Sequence, residues 1–241
     1  MVQGLIEALF DHSSFLCWHS DRTVGGTITG LRFQKRSPHR VNVYLDGQFV
    51  FGLPAVEAAK LRVGQNLEDH DVERLRSLDV EQKAYDRAVR FLAYRPRSEA
   101  EVRSRLERSD TDPDVIEAVI GRLKAQSYLD DVEFARFWVE GRQRFSPRST
   151  LALRQELRRK GLDDSTIAPA VAELDAAAAA YQAARPRALR LASLADSDPM
   201  LFRRKVSDFL LRRGFDYEIV REVVIRLMSE LAGGEASTTS S

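Results

Sequence analysis

The sequence holds a single cysteine, Cys17, in 241 residues. That excludes an internal disulfide and a zinc ribbon, which needs several thiolates, and a reducing compartment, the cytoplasm, is expected. Long apolar runs are missing too. Leu5 to Phe10 is interrupted by Glu7 and falls far short of the roughly 20 residues of a membrane span, so neither export nor a membrane partner is expected. Charge of one sign is not in excess: 37 Lys plus Arg stand against 36 Asp plus Glu. Any binding to a polyanion must then come from a local patch rather than from a bulk field. No glycine precedes Lys-Ser or Lys-Thr at phosphate-loop spacing, and no serine lies in a Gly-x-Ser-x-Gly turn. His12, Cys17 and His19 lack a fourth metal ligand. The chain therefore reads as non-enzymatic, with no cofactor and no metal.

What is present begins at Thr27. Residues 1–26 have no period, and Gly25-Gly26 close them like a linker, so they read as a poorly ordered extension. Val41, Val43 and Leu45 then alternate with Asn42, Tyr44 and Asp46, the period of a half-buried strand. Asp46-Gly47 follows, the pair favoured in two-residue hairpins, and Phe49-Val50-Phe51 forms the returning strand. A short helix is expected after Pro54 and a turn at Val63-Gly64-Gln65, giving a small β unit plus helix over 27–80.

From Val72 to Ala232 the pattern is helical and repeats. Around Gly161, apolar residues stand eight and four positions before (Leu153, Leu157) and six, ten and thirteen after (Ile167, Val171, Leu174). The same offsets around Gly214 give Val206, Leu210, Val220, Val224 and Leu227, and around Asp110 they give Val102, Leu106, Ile116, Ile120 and Leu123. An aspartate follows each anchor by two residues (Asp112, Asp163, Asp216), placed to cap the next helix. Ser98 with Glu101 forms a capping box, Ser149 takes the same place in the second copy, and Asp198-Pro199 serves in the third. Gly161 and Gly214 stand where a left-handed residue ends a helix. Three three-helix repeats are expected, over 81–130, 131–180 and 181–232, with a disordered tail at 233–241. Such units bury little alone, so they are expected to stack in an elongated array. Pro169 is a misfit inside the third helix of copy two, and the alanine-rich run from Asp175 to Ala184 reads as a helical joint.

The only candidate catalytic pair, Asp130-Asp131, reads better as a cap for the helix bearing Phe134, Ala135 and Trp138. Arginine is the remaining signal. In copy one, Glu99 with Arg103 and Glu101 with Arg105 have the spacing of helical ion pairs. Copies two and three are less balanced, and their arginine stripes suit acidic protein surfaces or phosphates equally.

Three segments together resemble the successive motifs of the RecX family: Arg95-Pro96-Arg97-Ser98-x-x-Glu101-Val102, Tyr128-Leu129-Asp130-Asp131-x-x-Phe134-Ala135-x-x-Trp138-Val139, and Glu156-Leu157-x-x-Lys160-Gly161-Leu162. The resemblance covers roughly residues 80 to 230, and the β unit is similar to the N-terminal extension of longer members. Ser149-Thr150 departs from the glycine-containing turn of many members. The resemblance implies a mainly α protein, a curved array of three tandem repeats with a small N-terminal β-hairpin unit. It implies a monomer that lies in the helical groove of the RecA nucleoprotein filament and modulates, usually inhibits, its activity. The contact face is expected at Arg97, Arg103, Arg148, Arg154, Arg158, Arg203 and Arg212. Two alternatives stay open: a DNA-binding protein using helix-turn-helix-like units, with arginines on phosphates directly, and a helical scaffold for an unrelated partner.

Overall fold

A computed structural model describes residues 25–35 and 37–235, the side chains of the last three excepted. The extension up to Val24, with His12, Cys17 and His19, and residues 236–241 lie outside the described residues. The chain divides into two compact units, 1–83 and 84–241.

The first unit is a four-stranded antiparallel sheet in the order β3-β2-β1-β4, from β1 (Gly26–Gln34), β2 (Ser37–Leu45), β3 (Gln48–Pro54) and β4 (Asn66–Leu67). Asp46 and Gly47 both take positive φ, 49° and 85°, as a two-residue hairpin turn demands. Gly64, at φ 90°, makes the second expected turn, after α1 (Ala55–Ala58). Gly25 and Gly26 are not a linker. Gly26 opens β1 opposite Leu67, and the Gly25 amide donates to Asp69 at 2.5 Å. A Cβ on Gly25 would overlap the Leu67 carbonyl oxygen, which is why glycine is needed there. Val41, Val43, Leu45, Phe51 and Leu53 pack with Val72 and Leu75 of α2 (Asp69–Leu92).

The second unit contains the three repeats. The first uses Ala84 and Ala88 of α2 with α3 (Glu99–Glu107) and α4 (Pro113–Ala125), and the second uses α5 (Asp131–Phe145), α6 (Thr150–Arg159) and α7 (Asp164–Val171). The third uses α8 (Ala176–Arg190), the short α9 (Ala192–Ser197), α10 (Pro199–Leu211) and α11 (Tyr217–Glu235). Every expected core position is buried except Leu174, which lies past the end of α7 and is half-buried. All three anchors adopt the left-handed conformation, Asp110 included, at φ 54°, 86° and 83°. Ser98 forms a complete capping box, and Asp112, Asp130, Ser149, Asp163 and Asp198 each accept from a first-turn amide.

Three expectations are corrected. The alanine run is not a joint but the first helix of the third repeat. Asp175 caps α8, and Ala179, Ala180, Ala183 and Ala184 are buried against Phe202 and Val223, so small side chains let the helices approach closely. α9 makes a fourth helix in that repeat. α11 continues to Glu235, past Gly233, where a disordered tail was expected to begin. Pro169 is absorbed without breaking α7, which ends two residues later.

Candidate partner-binding surface

The two junctions between consecutive repeats are built alike. At the first, the Ser98 hydroxyl donates to the Lys160 carbonyl at 2.6 Å; at the second, the Ser149 amide donates to the Arg213 carbonyl at 3.2 Å. Each serine caps the second helix of one repeat, and each carbonyl lies one residue before the glycine anchor of the next. The glycines sit inside these contacts: a Cβ on Gly161 would lie 2.3 Å from Cβ of Ala100, and one on Gly214 would lie 2.7 Å from Oγ of Ser149.

Each of the first two repeats has a carboxylate that gathers cations. Glu101 binds Lys160 at 2.8 Å across the junction and Arg95 at 3.2 Å, with Arg97 at 3.9 Å. Glu156 accepts from Trp138 Nε1 at 2.9 Å and Arg142 at 2.8 Å, and pairs with Arg148 at 3.0 Å. Burial pushes the Glu101 carboxyl up, but Lys160, the Ser98 amide and Arg95 outweigh it and hold it below the usual range. Hydrogen bonds from Lys124 and Arg103 hold Glu99 low as well. Stability from these two carboxylates is present above their ordinary pKa and is lost as pH falls through the lowered folded-state values.

Asp131 shows the opposite sign. It accepts from the Glu99 amide at 2.8 Å, capping α3, while Asp130 alone caps α5. Burial is the main influence on Asp131 and raises its pKa, despite that hydrogen bond. Its charged form thus weakens folding: the favourable contribution is present below the unfolded value and is lost as pH rises through the folded one. Asp131→Asn keeps an acceptor for the Glu99 amide. It should raise the Tm at neutral pH by about 1–2 °C, a small gain because the carboxyl is only half-buried. The gain should vanish at pH 3, where the wild-type carboxyl is itself neutral. Thermal melts at the two pH values check this, and a Tm lowered at neutral pH but unchanged at pH 3 would mean that the Lys124 attraction dominates.

The expected arginines divide into two groups. Arg97 lies against the Phe91 ring, 4.1 Å from its centroid, and burial lowers its pKa. Arg103 is held by Glu99 at 3.0 Å and by Glu117, Arg148 by Glu156, and Arg158 by Asp164 at 2.8 Å. These four are committed within the chain. Of the expected helical pairs Glu99–Arg103 forms, whereas Glu101 turns to Lys160 and Arg95 instead of Arg105. Arg154 is half-buried, Arg203 is exposed with Nε 3.1 Å from Met228 Sδ, and Arg212 is exposed.

The structure also brings Arg97 and Arg158 together with cations that were not expected on the contact face. Arg97, Arg108, Arg158, Arg159 and Lys160 line one open cleft of about 490 Å³ at the first junction, with Glu101 and Gly161. Arg108, Arg159 and Arg212 all stand two residues before their anchors, and all three are exposed. That recurrence was readable in the repeat alignment itself, because the same offset gives arginine three times.

Comparison with known proteins agrees with this repeat architecture. Models described as the RecX N-terminal domain and the first, second and third RecX three-helix domains match residues 26–68, 84–123, 130–171 and 174–224. The regulatory protein RecX of Bacillus subtilis is 32% identical over 199 residues, covering 80% of this chain and 74% of the relative. That of Prosthecochloris aestuarii is 35% identical over 147 residues, 61% of this chain and 95% of the relative. A crystal structure of a regulatory protein RecX superimposes with a TM-score of 0.65 at 26% identity, covering 82% of this chain and 98% of that one. With the anchors, caps and junctions already described, these matches show that the chain belongs to the RecX family of regulatory proteins.

Proposed function

We propose that this protein regulates the RecA recombinase by binding the RecA nucleoprotein filament in its helical groove and slowing its activity. The observation that carries the reading is the arginine array. Arg108, Arg159 and Arg212 present one exposed cation at the same position of each repeat, and a filament of identical subunits presents matching groups at regular intervals. Several modest contacts on one body then add up. The reading is non-enzymatic: the half-buried carboxylates Glu99, Glu101, Asp131 and Glu156 are engaged in caps and ion pairs rather than left free for acid–base work. Among the described residues no helix is long and apolar enough to cross a membrane. A cytoplasmic monomer without cofactor fits this role.

The test is RecA-dependent ATP hydrolysis on single-stranded DNA, titrated with this protein and with Arg108→Ala/Arg159→Ala/Arg212→Ala. Exposed charge contacts are worth about 0.5–1 kcal/mol each, so the triple variant should need about tenfold more protein for half-inhibition. Arg103→Ala, which breaks an internal pair, should lower stability more than inhibition. An ATPase rate unmoved by the wild-type protein would refute the reading. Salt-dependent binding to naked DNA that falls in the triple variant would favour direct DNA binding instead.

A further inference from the structure

We propose that the outward face of the N-terminal sheet is a separate binding site for single-stranded nucleic acid, with Tyr44 and Phe49 as stacking platforms for bases. The strand register puts Tyr44 of β2 opposite Phe49 of β3 and Gly30 of β1, on the side away from Val43, Leu45 and Phe51. The two rings meet edge to face, 6.0 Å between centroids, and Phe49 is 57% exposed. Exposing a large aromatic costs solvation free energy that a core position would have recovered.

The surroundings fit the same ligand. Arg32 is exposed on β1, its guanidinium over the Tyr44 ring at 5.2 Å from the centroid, a cation on the same surface as the two rings. Gly30 leaves the flank of Tyr44 uncovered, because a Cβ there would lie in van der Waals contact with the ring, at 3.7 Å. On the same face Gln34 Nε2 donates to Asn42 Oδ1 at 2.7 Å, which orients the Asn42 amide and leaves its NH₂ available to a base edge. The charge balance is local and one-sided. Over residues 26–54 the sequence carries Arg32, Lys35, Arg36 and Arg40 against the single Asp46, whereas the whole chain has a net charge of only +1. Asp46 is engaged, accepting from the Thr27 amide at 3.1 Å. Arg40 is spent on Asp79, which leaves Arg32 and Lys35, both exposed, as cations of the described strands and turn. Exposed aromatic faces interleaved with cations suit unpaired bases on a phosphate chain. Duplex DNA hides its base faces, and an acidic peptide has none.

The experiment uses the full chain without RecA, so its outcome is independent of the filament reading. Fluorescence anisotropy of a labelled oligothymidine is measured with the wild type, with Tyr44→Leu/Phe49→Leu, and with Arg32→Gln. Leucine keeps the apolar contacts while removing the ring faces. Loss of stacking should weaken binding about tenfold or more in the double variant. Arg32→Gln should shallow the salt dependence by about 0.7 in the log–log slope. Photocrosslinking of a 5-iodouracil oligonucleotide to wild-type protein adds a readout that needs no variant, with crosslinks expected on the peptide carrying Tyr44 and Phe49. The proposal is overturned if the wild type does not bind, if polyglutamate displaces the oligonucleotide as well as unlabelled oligothymidine does, or if crosslinks fall only within 84–232.

Discussion

Gly161→Ala should destabilise the helical unit by about 3 kcal/mol, lowering its Tm by several degrees, although it adds one methyl group. Two costs coincide at this position. The residue sits at φ 86°, where a Cβ costs about 1 kcal/mol or more, and the new methyl would lie 2.3 Å from Cβ of Ala100 in the preceding repeat. Both atoms are anchored to backbone, so the junction has to shift, which adds about 1–3 kcal/mol of overpacking. Gly121, midway along α4 with open space around it, supplies the control: Gly121→Ala should stabilise by about 0.5–1 kcal/mol through helix propensity alone. Ala100→Gly removes the facing methyl, so the double-mutant cycle with Gly161→Ala should show about 1–2 kcal/mol of coupling. Denaturant melts of the four proteins decide it. Zero coupling would mean that the glycine is required only for its dihedral angle and that the junction is loosely packed. The serine of the second junction has a rotatable hydroxyl, so Gly214→Ala should be milder than Gly161→Ala.

What could be read from the sequence follows from how local each interaction is. Anchors, caps and core spacing lie within a few residues of one another and recur three times, so helix starts at Asp112, Ser149 and Asp163 and left-handed turns at Gly161 and Gly214 were legible in the chain. The Asp46-Gly47 hairpin was legible for the same reason. The alanine helix was misread because alanine marks no face: its burial comes from Phe202 and Val223, which are distant in sequence. The ion pairs failed in a similar way. Glu101 has a helical neighbour at the right spacing, but Lys160, 59 residues away, reaches it from the next repeat. The committed arginines are held inside their own repeats, Arg103 by Glu99 and Glu117, Arg148 by Glu156 and Arg158 by Asp164, but of these only Glu99–Arg103 has the four-residue helical spacing that a sequence displays. The offset that finds Arg108, Arg159 and Arg212 needs no structure, but only the structure shows that all three are exposed.

The largest effect in the β unit should come from Asp79→Ala. Asp79 is buried, 39 residues from its partner Arg40, and also takes Lys83 at 2.7 Å. Lys83 is exposed and loses little when the carboxylate goes, but the Arg40 side chain is only 14% exposed and keeps a single contact, to the Gly52 carbonyl at 3.4 Å. An uncompensated buried cation costs about 3–5 kcal/mol, and the lower end is expected because Arg40 can turn toward water. Hydrogen exchange of the β2 and β3 amides reports it directly, with protection falling by about a hundredfold. The pair itself is a different matter. Arg40→Met/Asp79→Leu removes both charges and both desolvation costs, and it should return protection to within about tenfold of wild type. The ion pair would then serve to fix the register in which Arg40 faces Pro54, rather than to add net stability. If the double variant were as unprotected as Asp79→Ala alone, the pair would be a true source of stability and the register argument would fail.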